Sequence, residues 1–230
     1  MPLDISRIRA ICFDLDGTLS DTDDEWVQGL ESALKSYFFF LPAHQRHRLA
    51  RWLVMSSETP GNWFFTLLDR SGLDHPFQKL SQRLRGKKRL ARRKFQLIPG
   101  IPILLHALNH HYPLAIVSAR DETTTQAFLE QYHLCHFFRV VVTAQTTPHM
   151  KPFPDPILWA AAAMGVDPHT CLMVGDTTPD IHAAKAAGAQ AVGVLCGFGT
   201  ERELRRAGAD LILPSPVHLI HLLPPSRDLP

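Results

Sequence analysis

Short apolar runs that end on a polar or acidic residue recur along the second half of the chain. They alternate with stretches whose apolar residues return every three or four positions. One such run stands apart near the N-terminus, where Ile11-Cys12-Phe13 leads directly into Asp14-Leu15-Asp16-Gly17-Thr18-Leu19. A continuous apolar run of this length reads as a strand buried on both faces, so Asp14 is expected to emerge at its carboxyl end. From Pro99 onward the alternation is regular. Ile101 to Asn109 predicts an amphipathic helix, Pro113 to Ser118 a strand, and Asp121 to Tyr132 a helix with Asp121 or Thr123 as N-cap. Val140 to Val142 predicts a third strand, Asp155 to Met164 a helix, Cys171 to Asp176 a fourth strand and Asp180 to Ala187 a helix. Ala191 to Val194 and Leu211 to Leu213 read as further strands, and a proline-rich tail beyond them is expected to dock loosely or to move freely. Strands alternating with helices argue for βαβ units, and therefore for an α/β fold with a doubly wound parallel sheet.

Between Ser20 and about Ile98 the pattern changes. Apolar residues recur at helical spacing in Trp26 to Tyr37, Leu49 to Met55 and Trp63 to Leu68. Strand-like runs flanked by turns are missing there, apart from the ambiguous Phe38-Phe39-Phe40. The stretch reads as an inserted helical module, giving a core of residues 1–19 and 99–230 and an insert of residues 20–98. A chain of 230 residues has room for such an arrangement.

Composition narrows the picture little. Hydrophobic residues at 45% and charged residues at 20% are ordinary for a globular protein, and a net charge of +2 points to neither a nucleic acid nor a membrane. The four cysteines lie far apart without CxxC spacing, and Cys12 and Cys171 fall inside strand-like runs as small buried thiols. No disulfide framework or zinc site is indicated, which fits a reducing compartment. A cleaved signal peptide would remove the first strand, so the expected location is cytoplasmic.

Four segments at strand ends carry the chemistry: Asp14 with Asp16 and Thr18; Ser118; Lys151-Pro152; and Gly175-Asp176 through Asp180. Singly, each reads as well as a turn, a cap or a solvated side chain. In a parallel sheet, however, these strand ends lie side by side, at the edge where open α/β sheets bind ligands. A carboxylate such as Asp14 can attack phosphorus and divide a hard displacement into two easier ones. Asp16 is close enough to protonate the leaving group and then to activate water. Ser118 and Lys151 suit the transferring phosphoryl oxygens. Mg²⁺ prefers one or two carboxylates, which Asp14 and Asp176 would supply. Asp180 is either a further acid beside the metal or the holder of Lys151.

Together these segments resemble the four motifs of the haloacid dehalogenase superfamily, over Ile8 to Ser20 and Pro99 to about Leu213. The resemblance implies a Rossmann-like core with a helical cap inserted after the first motif. It implies Asp14 as nucleophile, Asp16 as acid/base, and Ser118 and Lys151 as phosphate-binding residues. The Mg²⁺ ligands would be Asp14, Asp176 and the Asp16 carbonyl. Thr18 would be an ancillary contact, and Ala119 departs from the polar residue often found there while keeping its amide for phosphate. Lys151-Pro152-Phe153-Pro154-Asp155-Pro156 and Gly199-Thr200 through Gly208-Ala209-Asp210 look like the phosphoglycolate phosphatase group.

The function so implied is a Mg²⁺-dependent phosphatase acting on a small phosphorylated metabolite, as monomer or homodimer, without nucleic-acid or membrane partners. A phosphosugar mutase resembling β-phosphoglucomutase, or a binding protein on the same fold, is the alternative. The basic run Arg83, Arg85, Lys87, Lys88, Arg89, Arg92, Arg93 and Lys94 reads as a solvated helix face or as a contact for a substrate anion. Trp26, Trp63, Phe64 and Phe65 read as the insert's own core. His106, His110 and His111 read as a helix end rather than a metal site.

Overall fold

The computed structural model describes residues 2–21 and 95–223. The chain divides into two compact units, Met1–Thr22 with Phe95–Pro230, and Asp23–Lys94. The expected helices, aromatic core and basic run of the insert lie outside the described residues.

Six strands form one sheet: β1 (Ala10–Phe13), β2 (Leu114–Val117), β3 (Phe138–Val142), β4 (Cys171–Gly175), β5 (Gln190–Val194) and β6 (Leu211–Leu213). Every pairing is parallel and the order is β3-β2-β1-β4-β5-β6. Helices α1 (Ile101–Asn109), α2 (Glu122–Gln131), α3 (Asp155–Met164), α4 (Thr178–Ala186) and α5 (Glu201–Ala207) alternate with the later strands. The result is an α/β, Rossmann-like, doubly wound sheet, as the alternation predicts.

Because successive strand residues face opposite ways, each strand contributes to two cores. Ile11, Phe13, Leu114, Ile116, Leu172 and Val174 pack with Leu104 and Leu105 of α1 and Phe128 of α2. Ala10, Cys12, Ala115, Cys171, Met173 and Ala191 pack with α3, α4 and Leu204 of α5. The first face carries the aromatic side chains, whereas the second mixes alanines and thiols with valine, isoleucine, leucine and methionine. Burial on both faces explains why these strands show no polar alternation.

The helix bounds depart from the sequence pattern in two places. The helix expected from Asp180 begins at Thr178, because Asp180 folds back on Thr177: its Oδ2 accepts from the Thr177 amide at 3.0 Å and hydroxyl at 2.6 Å. Helix α5 carries no apolar stripe of its own beyond Leu204 and escaped the periodicity. Its ends were nevertheless marked, by a capping box of Thr200 and Glu203 and by Gly208 in the left-handed conformation. Asp121 is the N-cap of α2, accepting from the Thr124 amide at 3.0 Å.

The tail departs further from expectation. Pro216–His221 forms a 3₁₀ helix packed on α1, Leu219 is fully buried, and Val217 lies against Gly100. Residues through Leu223 therefore belong to the larger core. Leu219→Ala is expected to lower stability by about 2–4 kcal/mol, the cost of a methyl-lined void in a core that relaxes only partly. Thermal unfolding followed by circular dichroism checks this, and an unchanged Tm would contradict docking of the tail.

Candidate active site

The strand order reverses between β1 and β4, and ligand sites of open α/β sheets form outside such a switch point. Phe13 pairs with Val174 across that junction, and the Asp14 amide donates to the Val174 carbonyl at 2.9 Å. The next residues along the two strands, Asp14 and Gly175-Asp176, are thereby fixed side by side. On the other flank Phe13 pairs with Ile116, and Ser118 follows at the tip of β2, its amide held by the Val142 carbonyl at 2.9 Å.

Lys151 reaches in from the loop after β3 and is almost fully buried. Its Nζ donates to Asp14 Oδ1 at 2.6 Å, Asp180 Oδ1 at 2.5 Å and the Val117 carbonyl at 2.9 Å. An ammonium has three donors, and all three are committed. Burial alone would lower the Lys151 pKa, but the carboxylates of Asp14 and Asp180 more than offset it and hold the group charged. Asp14 is pushed up to about 7, first by burial; Lys151 opposes this, while the like charges of Asp180 and Asp16 add to it. Its Oδ2 accepts no hydrogen bond from the described residues.

Asp176 is fully buried in a glycine cradle. Its Oδ2 accepts from the Phe198 amide at 2.7 Å, and its Oδ1 faces the Thr18 hydroxyl at 3.3 Å. A Cβ at Gly17 would fall 2.4 Å from Asp176 Oδ2, and one at Gly197 would fall 2.1 Å from the same atom. Gly17 also has φ +71°, a conformation that glycine adopts without strain. These two glycines let the backbone close around the carboxylate.

Carboxylate oxygens of Asp14, Asp176 and Asp180 all lie within 4.8 Å of one another. Among the described residues these three buried acids face one ammonium, that of Lys151. A hard divalent cation with oxygen preference matches a cluster of three buried acids. Asp180 is the least available ligand of the three, since Lys151 occupies one of its oxygens and Thr177 the other. Its geometry is that of a lysine holder and helix cap.

The expected residues thus fall into three groups. Asp14, Lys151, Asp176 and Asp180 converge. Ser118 and Ala119 stand at the neighbouring strand tip; the Ser118 hydroxyl oxygen accepts from the Arg120 amide at 3.1 Å. Thr18 is fully buried with its hydroxyl turned to Asp176, which makes it a support for that carboxylate. The Asp16 carboxylate is not among the three clustered acids. Instead, its Oδ2 accepts from Arg120 Nε at 2.6 Å and its Oδ1 from Arg120 Nη2. Sequence reasoning passed over Arg120; its position two residues beyond Ser118 at a strand tip was the available signal. The histidine rings of His106 and His110 meet edge to face at 5.0 Å on the end of α1, and Cys12 and Cys171 are buried as expected. Among the described residues no helix is long and apolar enough to cross a membrane.

A parallel α/β sheet with a lysine-clamped aspartate and a second buried acid at its switch point defines a hydrolytic site of the phosphoryl-transfer type. The chain belongs to the haloacid dehalogenase-like hydrolase family, whose model matches residues 11–194. It is 30% identical to a phosphoglycolate phosphatase of Escherichia coli strain K12, over 97% of this chain and 94% of the relative. A phosphoglycolate phosphatase of Photorhabdus laumondii is also 30% identical, over 91% of this chain and 89% of that one. Among solved structures, a hydrolase from Pseudomonas syringae superposes with a TM-score of 0.69 at 28% identity, covering 93% of this chain and 97% of the other. A haloacid dehalogenase-like family hydrolase from Streptococcus pneumoniae gives 0.66 at 26% identity, covering 95% and 100%.

The buried Asp14 also makes a stability prediction for metal-free protein. An unfolded aspartate loses its proton near 3.8 and the folded Asp14 near 7, so the native state holds the extra proton between those values. Ionising Asp14 therefore costs stability as pH rises through this window. Asp14→Asn has no proton to lose, so its Tm relative to wild type is expected to climb from about pH 4 to pH 7 and then level off. Paired thermal melts in EDTA check the sign; a flat difference would contradict it.

Proposed function

We propose that this protein is a Mg²⁺-dependent phosphatase that hydrolyses a small phosphomonoester through an aspartyl-phosphate on Asp14. The observation that carries the reading is the clamped geometry of Asp14. It stands at the tip of the central strand, its Oδ1 is fixed by a buried lysine, and it clusters with Asp176 and Asp180.

In the first step an Asp14 carboxylate oxygen attacks phosphorus, and the bond from phosphorus to the leaving oxygen breaks as Asp16 gives that oxygen a proton. In the second step Asp16 takes a proton from water. The resulting hydroxide oxygen attacks the same phosphorus, the bond to Asp14 breaks, and inorganic phosphate leaves. Lys151 keeps Asp14 oriented through the sequence and sets positive charge close to the transferring group. The Ser118 hydroxyl and the Ala119 amide supply neutral donors from the adjacent strand tip. Mg²⁺ held by Asp14 and Asp176, with the Asp16 carbonyl, would neutralise charge shared by carboxylates and phosphoryl oxygens. It would also favour the ionised, nucleophilic form of Asp14 that burial opposes.

The relatives named phosphoglycolate phosphatase support a substrate of that kind, a short phosphorylated acid. Free thiols at Cys12, Cys135, Cys171 and Cys196 support a cytoplasmic setting.

Phosphate release should be measured with Mg²⁺ across short phosphorylated acids, sugars and nucleotides. Asp14→Asn is expected to lose activity by roughly 10⁴-fold or more, as for other covalent nucleophiles. Lys151→Met is expected to lose about 10²–10³-fold, the scale of removing one fixed electrostatic contribution near the transferring group. EDTA should abolish turnover, and added Mg²⁺ should raise the Tm of wild type more than that of Asp176→Asn. Undiminished turnover in Asp14→Asn would overturn the mechanism. Hydrolysis without loss in EDTA would overturn the metal.

A further inference from the structure

Arg120 has no place in the roles above, yet it makes the only side-chain fork onto Asp16 among the described residues. Its Nε and Nη2 meet the two oxygens of one carboxylate in parallel, the geometry in which a guanidinium recognises that group. The arginine is fixed from every side that the structure describes. Its amide donates to Ser118 Oγ at 3.1 Å, and its carbonyl accepts from the Ala144 amide at 2.9 Å. Its guanidinium carbon lies 5.1 Å from the Phe95 ring centre and 5.9 Å from that of Phe128. Those two rings meet edge to face at 5.7 Å, and Tyr132 packs on Phe128 while its hydroxyl donates to the Phe95 carbonyl. The Arg120 side chain is 10% exposed, whereas that of Asp16 is 31% exposed. Arg120 is the fixed half of the pair and Asp16 the exchangeable half.

We propose that Arg120 is the receptor for a carboxylate on the substrate's leaving group, and that Asp16 fills this seat in the substrate-free protein. The inference rests on the phosphatase reading and narrows its substrate class to short phosphorylated carboxylic acids. The seat demonstrably accepts a carboxylate in bidentate fashion, because Asp16 is one. Residues 14 and 16 are two peptide units apart, at most about 7 Å between Cα atoms, so the seat and Asp14 belong to the same strand tip. Arg120 also shares its loop with Ser118 and Ala119, which places phosphoryl and carboxylate receptors on one rigid strand tip. While the fork persists, each Asp16 oxygen faces an N–H, and a proton on either would meet a donor. A substrate carboxylate entering the fork takes those two N–H donors from Asp16, which then handles the leaving-group proton.

The test compares 2-phosphoglycolate with 2-hydroxyethyl phosphate, the same skeleton with an alcohol in place of the carboxylate. Wild type is expected to favour the acid by at least about tenfold in kcat/KM, on the scale of one charge-assisted bidentate contact, with both kcat and KM contributing. In Arg120→Met the ratio is expected to fall to within about threefold of one, and Arg120→Lys, which keeps charge but loses the fork, to fall between. An arginine with a merely structural role would lower both substrates by the same factor and keep the ratio, which would overturn the proposal. Calorimetric binding of both compounds to Asp14→Asn and to Asp14→Asn/Arg120→Lys gives the same comparison without turnover. Loss of the acid's binding advantage in the double variant supports the receptor, and retention overturns it. If wild type releases phosphate from no compound, the phosphatase reading falls by itself, and calorimetry still decides whether Arg120 takes a carboxylate.

Discussion

The buried ammonium of Lys151 is the charge on which the site depends. Two carboxylates, Asp14 and Asp180, have left water, and each sets an oxygen about 2.5 Å from the same Nζ. Taking such groups out of solvent is unfavourable unless they are paired and hydrogen-bonded, and a pair missing one member is worse than no pair. The three acceptors around Nζ saturate its donors, so the lysine has no freedom to turn. Asp180 passes this constraint into the scaffold, because its other oxygen caps α4 through Thr177. A helix start, a lysine from a distant loop and the acid at the tip of β1 are thus one electrostatic unit. Even so, Lys151 does not outweigh the burial of Asp14, which with the like charges of Asp180 and Asp16 holds that carboxyl near 7.

Placing that unit at a strand edge requires a sheet that holds β1 rigidly in its centre. The two unlike cores do this. An aromatic-containing core on one face and an alanine-rich one on the other clamp the same four residues of β1, each fully buried. The hydrogen bond from the Asp14 amide to Val174 then carries strand order one residue beyond the sheet, to the first residue whose side chain can meet a ligand. Packing sets the position, and polar contacts set the orientation.

Much of this was legible in the sequence. Strand bounds follow from apolar runs because a doubly covered parallel strand has no polar face to interrupt it, and the acids at their ends are visible for the same reason. The bounds of α1 and α3 coincide with the pattern, since both helices have one continuous buried stripe. What periodicity missed were elements held by other means: α5 by its caps, and the Pro216–His221 turn by buried Pro216 and Leu219 in a proline-rich context that disguised them. Thr18 and Asp180 were recognised as site residues, and Lys151 as one option for Asp180, but the contacts to Asp176 and Thr177 were not. A hydroxyl facing Asp176 and a carboxylate divided between a lysine and a helix cap are facts of three-dimensional convergence. Arg120 was passed over for a related reason: its place two residues beyond Ser118 assigns no role until the Asp16 carboxylate is seen in its fork.

The two aspartates at the tip of β1 show how little sequence separation is needed to divide labour. Asp14 and Asp16 are chemically identical, with one residue between them. The first is sealed against Lys151 in a pocket that resists its charge; the second is partly exposed and matched by a guanidinium. The intervening turn, with Gly17 in the left-handed region, sends the chain back so that the Gly17 amide bonds the Ser20 carbonyl at 2.8 Å. This tight turn is what lets Asp14 point toward Asp176 while Asp16 points toward Arg120. A side chain at position 17 would meet Asp176 and force the turn open, moving both acids at once. The division of roles is therefore a property of the backbone turn as much as of either carboxylate.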